Sequence, residues 1–157
     1  IIFRNYYNKL DIDKLKILRD LCKKKGCNFF LSNNVKLAIN LKLDGVYLPS
    51  FNKSFNHLTY NFKKKFIILG SAHSLQELNI KKLQAVKFFF ISSLFKKNKN
   101  YLGIYKFKFF ENFTKEKLIA LGGINEKNIK KLSLLDIRGY AGISFFKKKG
   151  PFKKGAF

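Results

Sequence analysis

The sequence predicts a parallel α/β fold. Three observations carry that reading. Short apolar runs alternate with segments of helical spacing along most of the chain. The runs are continuously apolar rather than alternating, as strands buried on both faces are. Several runs end in small or polar residues (Gly70-Ser71, Ser92-Ser93, Gly122-Gly123), where a loop leaves the sheet.

Taken in order, Ile1 to Phe3 is a short strand ending at Arg4. Asp11 and Asp13 signal a helix start, Leu15, Leu18, Leu21 and Cys22 follow helical spacing, and Gly26 stops the helix. Asn28 to Leu31 is the next strand, and Ser32-Asn33-Asn34 caps a helix from Val35 to Leu41. Gly45 to Leu48 is a strand closed by Pro49, followed by an Asn-rich loop with a short helix near Leu58 to Phe62. Phe66 to Leu69 is a strand. Ser74 and Glu77 have the spacing of a capping box at the start of the helix after it. Val86 to Ile91 is a strand, and a lysine-rich loop, Lys96 to Gly103, leads to a helix near Phe107 to Phe113. Leu118 to Leu121 is a strand, Asn125 to Leu134 a helix, and Gly139 to Ile143 the last strand. This is a (β/α)8 barrel pattern one strand short. The chain contains no methionine, so Ile1 does not read as a translation start, and the missing strand is expected ahead of it. Residues 1–157 read as a single domain ending in a basic tail, 147–157, that leaves the last helix absent.

The net charge is +24, which by itself points to nucleic acid or an anionic membrane surface. The distribution argues otherwise. All but three of the 33 basic residues are lysine, scattered over most surfaces, with no arginine cluster and no nucleic-acid-binding motif. The charge reads as solvated lysine, and nucleic acid is not an expected partner. No apolar run reaches membrane-spanning length. Cys22 lies on the apolar face of the first helix and Cys27 opens the next strand; with no histidine nearby, both read as free thiols of a cytoplasmic protein.

The stretch Leu118 to Asn125 carries the most chemistry. An apolar run, paired glycines and a helix start let backbone N–H groups approach an anion while a helix end adds its dipole. Gly122-Gly123 is therefore either a phosphate cup, shared with the turn after Ala141-Gly-Ile-Ser144, or only a tight strand-to-helix turn. His57 lies in a polar loop and reads as exposed. His73 reads first as a packing or capping residue and second as a ligand contact.

These pieces together resemble the thiamine-phosphate synthase / TenI family of (β/α)8 barrels. The resemblance runs through Phe3-Arg4, Phe30 to Ala38, Asp44 to Leu48, Leu69-Gly-Ser-Ala-His-Ser74 with Glu77, Leu102-Gly103, Ala120 to Ile124 and Ala141 to Ser144. It implies joining hydroxymethylpyrimidine pyrophosphate to thiazole phosphate, with Mg²⁺ on the leaving pyrophosphate. It places the thiazole phosphate at Gly122, Gly123, Ile143 and Ser144. Arg4 and Ser71 match the catalytic site, and Arg4, Ser32 and Asn33 the pyrimidine site.

The chain departs from that pattern at several points. The Asn-Asp after the strand ending near Leu31 is Ser32-Asn33, and the next loop's Asp is Asn52, so both expected Mg²⁺ carboxylates are amides. The lysine two residues after Arg4 is Tyr6. The Gly-Pro-x-Phe-Pro-Thr loop is Ser92 to Lys97. Lys97 and Lys99 there bring positive charge in place of a threonine, and Ser93 stands where the TenI branch has its histidine. None of the nine acidic residues falls at the C-terminal end of an expected strand, where a barrel puts its chemistry. Three readings follow: a divergent synthase, a TenI-like phosphate-ligand binder without turnover, and a polyanion binder suggested by charge alone.

Overall fold

The computed structural model describes residues 1–6, 9–114, 117–142 and 145–146. The elements in order are β1 (Ile2–Phe3), α1 (Ile12–Lys24), β2 (Phe30–Ser32), α2 (Val35–Asn40), β3 (Gly45–Leu48) and a 3-10 turn (Asn56–Thr59). Then come β4 (Ile67–Ala72), α3 (Leu75–Leu83), β5 (Phe88–Ile91), α4 (Gly103–Asn112), β6 (Lys117–Leu121), a second 3-10 segment (Ile129–Leu134) and β7 (Gly139–Ala141). The strands follow their sequence order, β1-β2-β3-β4-β5-β6-β7, and each resolved pair is parallel. That is the α/β class and the strand order expected of a (β/α)8 barrel.

The chain divides into two compact units. The first comprises Ile1–Gly70 and Ile80–Lys87. Its α1 starts where expected: Asp11 is the N-cap, its Oδ1 accepting from Lys14 N at 3.0 Å. Asn34 does the same for α2, accepting from Leu37 N. Successive residues Phe30 and Leu31 of β2, and Val46, Tyr47 and Leu48 of β3, are all buried, as strands covered on both faces require. Asp44 serves the fold: its Oδ2 accepts from Phe29 N at 2.8 Å. Cys27 lies in the loop before β2 rather than in a strand, because pairing begins only at Phe30. Cys22 is buried, and both cysteines are free thiols.

The second unit comprises Ser71–Asn79 and the residues from Phe88 onward. Phe89, Ile91, Phe107, Leu118 and Ala120 form its buried core. The capping box at α3 is displaced by one residue: Ser74 Oγ accepts from Glu77 N, but Glu77 Oε2 takes the N–H of His73 at 2.6 Å. The expected helix from Asn125 is a turn followed by the 3-10 segment. The asparagines explain it. Asn125 Oδ1 accepts from Lys127 N and Asn128 N, and Asn128 Oδ1 accepts from Asn125 N, so side chains take over the first turn. No helix among the described residues is long and apolar enough to cross a membrane.

Candidate active site

In the first unit, the ends of β2 and β3 lie side by side because Ser32 is in register with Tyr47. Arg4, just past β1, is exposed and spreads its guanidinium over two rings, 5.5 Å from the Tyr6 centroid and 5.7 Å from that of Tyr47. It forms no ion pair among the described residues. Tyr6 OH shares a 2.6 Å hydrogen bond with the buried Ser32 Oγ, and its ring meets Phe51 edge-on at 5.5 Å. The structure thus gathers Arg4, Tyr6, Ser32 and Tyr47 into one cationic, aromatic corner.

The two residues expected to hold Mg²⁺ bond to each other. Asn52 Nδ2 donates to Asn33 Oδ1 at 2.6 Å, while Asn52 Oδ1 accepts from Ser54 N at 2.9 Å. Charged oxygens at that separation would repel by about 1.6 kcal/mol under water-like screening, and by several times that where solvent is excluded. The amides attract instead. Both amide oxygens are already engaged and neutral, whereas Mg²⁺ demands an octahedral set rich in anionic oxygen. No group of three His, Cys, Asp or Glu side chains able to hold a metal occurs among the described residues. Asn33 and Asn52 do not fit a Mg²⁺ site.

In the second unit, β4 runs through Ser71, which is buried. Its hydroxyl has no hydrogen-bond partner among the described residues, yet it is not sealed from solvent. His73 Nδ1 lies 2.8 Å from Ser92 O. A carbonyl has no proton to give, so Nδ1 carries the hydrogen and Nε2 is left as the open ring nitrogen. His57 is a correction to its expected exposure. It is buried, with Nε2 2.9 Å from Gln84 O in the first unit, because its ring seals the polar loop against the end of α3.

The glycine turn is built by close approach. Leu94 N donates to Leu121 O, and Phe95 N and Lys96 N both donate to Gly122 O, so residues 94–96 run alongside the turn. A Cβ on Gly122 would lie 2.6 Å from Ser93 Oγ, and one on Gly123 would lie 2.5 Å from Lys96 N. Both glycines have positive φ, 103° and 77°. Ser93 Oγ donates to Lys96 O at 2.9 Å, and Asn128 Nδ2 holds Gly123 O at 2.9 Å. The N–H groups of Gly123 and Ile124 donate to no acceptor among the described residues. Two unclaimed donors beside a glycine turn suit an anion. The α-helix end expected to help them is absent, so the turn acts through its own donors. Lys97 and Lys99 are exposed on the adjoining loop and bond to nothing in the turn among the described residues. Ile143 and Ser144 lie outside the described residues.

Sequence reasoning missed Lys81 and Gln84, both in the first unit and both fully buried. Lys81 Nζ donates to Asn52 O at 2.6 Å and to Gln84 Oε1 at 2.8 Å. The signal was available: Leu78 and Lys81 are three apart on the buried face of α3, and Gln84, just past its end, continues that spacing.

A parallel sheet in sequence order, with a glycine turn after β6, defines the α/β barrel class. The comparison with known proteins narrows it. Residues 3–146 match the family model described as thiamine monophosphate synthase, and the chain belongs to that family. A thiamine-phosphate synthase of Helicobacter pylori (strain Shi470) is 32% identical over 130 residues, covering 79% of this chain and 57% of that protein. One from Hydrogenobaculum sp. (strain Y04AAS1) is 25% identical over 146 residues, covering 90% of this chain and 68% of that protein. The chain thus spans little more than half the length of the Helicobacter relative. The solved structure of a thiamine phosphate pyrophosphorylase from Pyrococcus furiosus shares the fold, with a TM-score of 0.72 at 22% identity over 91% of this chain and 70% of that one.

Proposed function

We propose that the chain acts in thiamine biosynthesis, as a cytoplasmic synthase joining hydroxymethylpyrimidine pyrophosphate to thiazole phosphate. The thiazole nitrogen forms a bond to the pyrimidine methylene carbon while the carbon–oxygen bond to pyrophosphate breaks, and pyrophosphate leaves with that bond's electron pair. The observation that carries the proposal is the glycine turn, whose Gly123 and Ile124 N–H groups are unclaimed among the described residues, in a chain that belongs to this family. In this reading the turn holds the thiazole phosphate, with Ile143 and Ser144 beside it and Lys97 and Lys99 adding charge. Arg4 takes the pyrophosphate end of the pyrimidine substrate, and the edge-on pair Tyr6–Phe51 walls its ring. Ser71, which matches the family's serine beside the chemistry, contributes its hydroxyl in this reading, and His73 contributes Nε2. No step is assigned to Mg²⁺ at Asn33 and Asn52.

A second reading, binding of a phosphorylated ligand without turnover, is favoured by one observation: the amide pair where the family's carboxylates are expected. Incubation of the chain with both substrates and detection of thiamine phosphate separates the two. Product supports the synthase; thiazole-phosphate binding without product supports the binder.

A further inference from the structure

The loops after β2 and β3 are tied together by groups that carry no negative charge. Asn52 is held at every polar atom of its side chain and at its carbonyl. Its Nδ2 donates to Asn33 Oδ1 at 2.6 Å, and its Oδ1 accepts from Ser54 N at 2.9 Å and Gln84 Nε2 at 3.4 Å. Its carbonyl accepts from Lys81 Nζ at 2.6 Å and Gln84 Nε2 at 3.2 Å. The Ser54 N–H facing Oδ1 fixes which end of the Asn52 amide is oxygen, so Nδ2 is the end that meets Asn33. Gln84 Nε2 reaches on to Ser54 O at 2.8 Å, and the Gln84 carbonyl meets His57 Nε2 at 2.9 Å. Lys81 and Gln84 have no exposed surface, so they anchor Asn52 from the interior of the unit, while the Asn33–Asn52 bond itself lies at the surface.

We propose that the Asn33–Asn52 amide bond, backed by Lys81 and Gln84, is a metal-free brace between the loops after β2 and β3, so that no divalent cation binds at this pair. The chemistry is self-consistent. Two acidic side chains meeting at this distance need a cation or a shared proton between them; an amide nitrogen meeting an amide oxygen needs neither. The Asn52 carbonyl is already taken by the Lys81 Nζ donor, which leaves it occupied on that side. Asn33 sits at φ 60°, a backbone conformation that Asn and Asp both tolerate, so the side chain can be exchanged without remaking the turn. A consequence, resting on the functional reading above, is that the thiazole phosphate binds equally well with and without Mg²⁺.

The test uses MnCl₂ alone, followed by the electron paramagnetic resonance of free Mn²⁺, on the full chain and on the double variant N33D/N52D. The wild-type chain should leave Mn²⁺ free up to about millimolar concentration, and the double variant should take it up. Mn²⁺ uptake by the wild type that is lost in Asn33→Ala would overturn the proposal, and that arm stands even if the double variant does not fold. Because the titration contains no substrate, failure to make thiamine phosphate would count against the functional reading alone.

Discussion

Replacing Gly123 by alanine tests the architecture of the turn directly, and its cost can be worked out in two parts. The first is the backbone. Gly123 has φ 77°, where an alanine costs about 1–2 kcal/mol. The second is the clash. The added Cβ would meet Lys96 N at 2.5 Å, Phe95 C at 2.9 Å and Lys96 Cα at 3.0 Å, all main-chain atoms that cannot swing aside. Overpacking of this kind costs about 1–3 kcal/mol. The sum is about 2–5 kcal/mol, shared between lost stability and a displaced 93–96 segment. Gly26→Ala is the matched control. Gly26 has φ 65° but nothing within 4 Å of an added Cβ, so it should show the backbone part alone, about 1–2 kcal/mol. Urea unfolding followed by circular dichroism measures the first quantity. Calorimetric titration with thiazole phosphate measures the second, where Gly123→Ala should bind at least about tenfold more weakly and Gly26→Ala should bind as wild type. Equal costs and equal affinities for the two variants would refute the close-approach reasoning.

Two further outcomes follow from single residues. Burial holds the Glu111 carboxyl above its ordinary range, against the lowering effect of the Asp136 N–H it accepts at 3.0 Å. A raised carboxyl favours the folded state only while it is protonated, and that contribution is lost as pH rises through the folded pKa. Glu111→Gln should therefore melt at or above the wild-type temperature at pH 7, with the difference closing on acidification; a wild type more stable at pH 7 than the variant would contradict this. His73→Asn places an amide N–H where Nδ1 bonds Ser92 O and removes Nε2. It should keep the wild-type melting temperature but lose product formation, whereas His73→Ala should also lose about 1 kcal/mol of stability in the same melts.

Much of the fold was legible because continuous apolar runs leave little choice. Gly45–Leu48 is a strand at its expected bounds, and Asp11 and Asn34 cap the helices they precede. The expected helix at Asn125 failed because two asparagines three residues apart offered the backbone better partners than a helical turn does. β4 runs past its expected end because Gly70 and Ser71, small residues that read as loop, stay in the ladder. The polar part of the site was less legible for a physical reason. The Tyr6–Ser32 and Asn33–Asn52 bonds join residues 26 and 19 positions apart, and only the parallel registers of β1 on β2 and of β2 on β3 bring them together. That Asn33 and Asn52 lacked charge was visible in the sequence; that they satisfy each other was not. His57 was misread for the same reason, since its partner Gln84 lies 27 residues away.

The most direct measurement of the central claim is product formation. The chain is incubated with hydroxymethylpyrimidine pyrophosphate and thiazole phosphate, and thiamine phosphate and pyrophosphate are quantified over time. Both should appear in equal amounts, and Arg4→Ala and Gly123→Ala should each slow their formation. No product from chain that binds thiazole phosphate would contradict the synthase reading and leave a ligand-binding relative in its place.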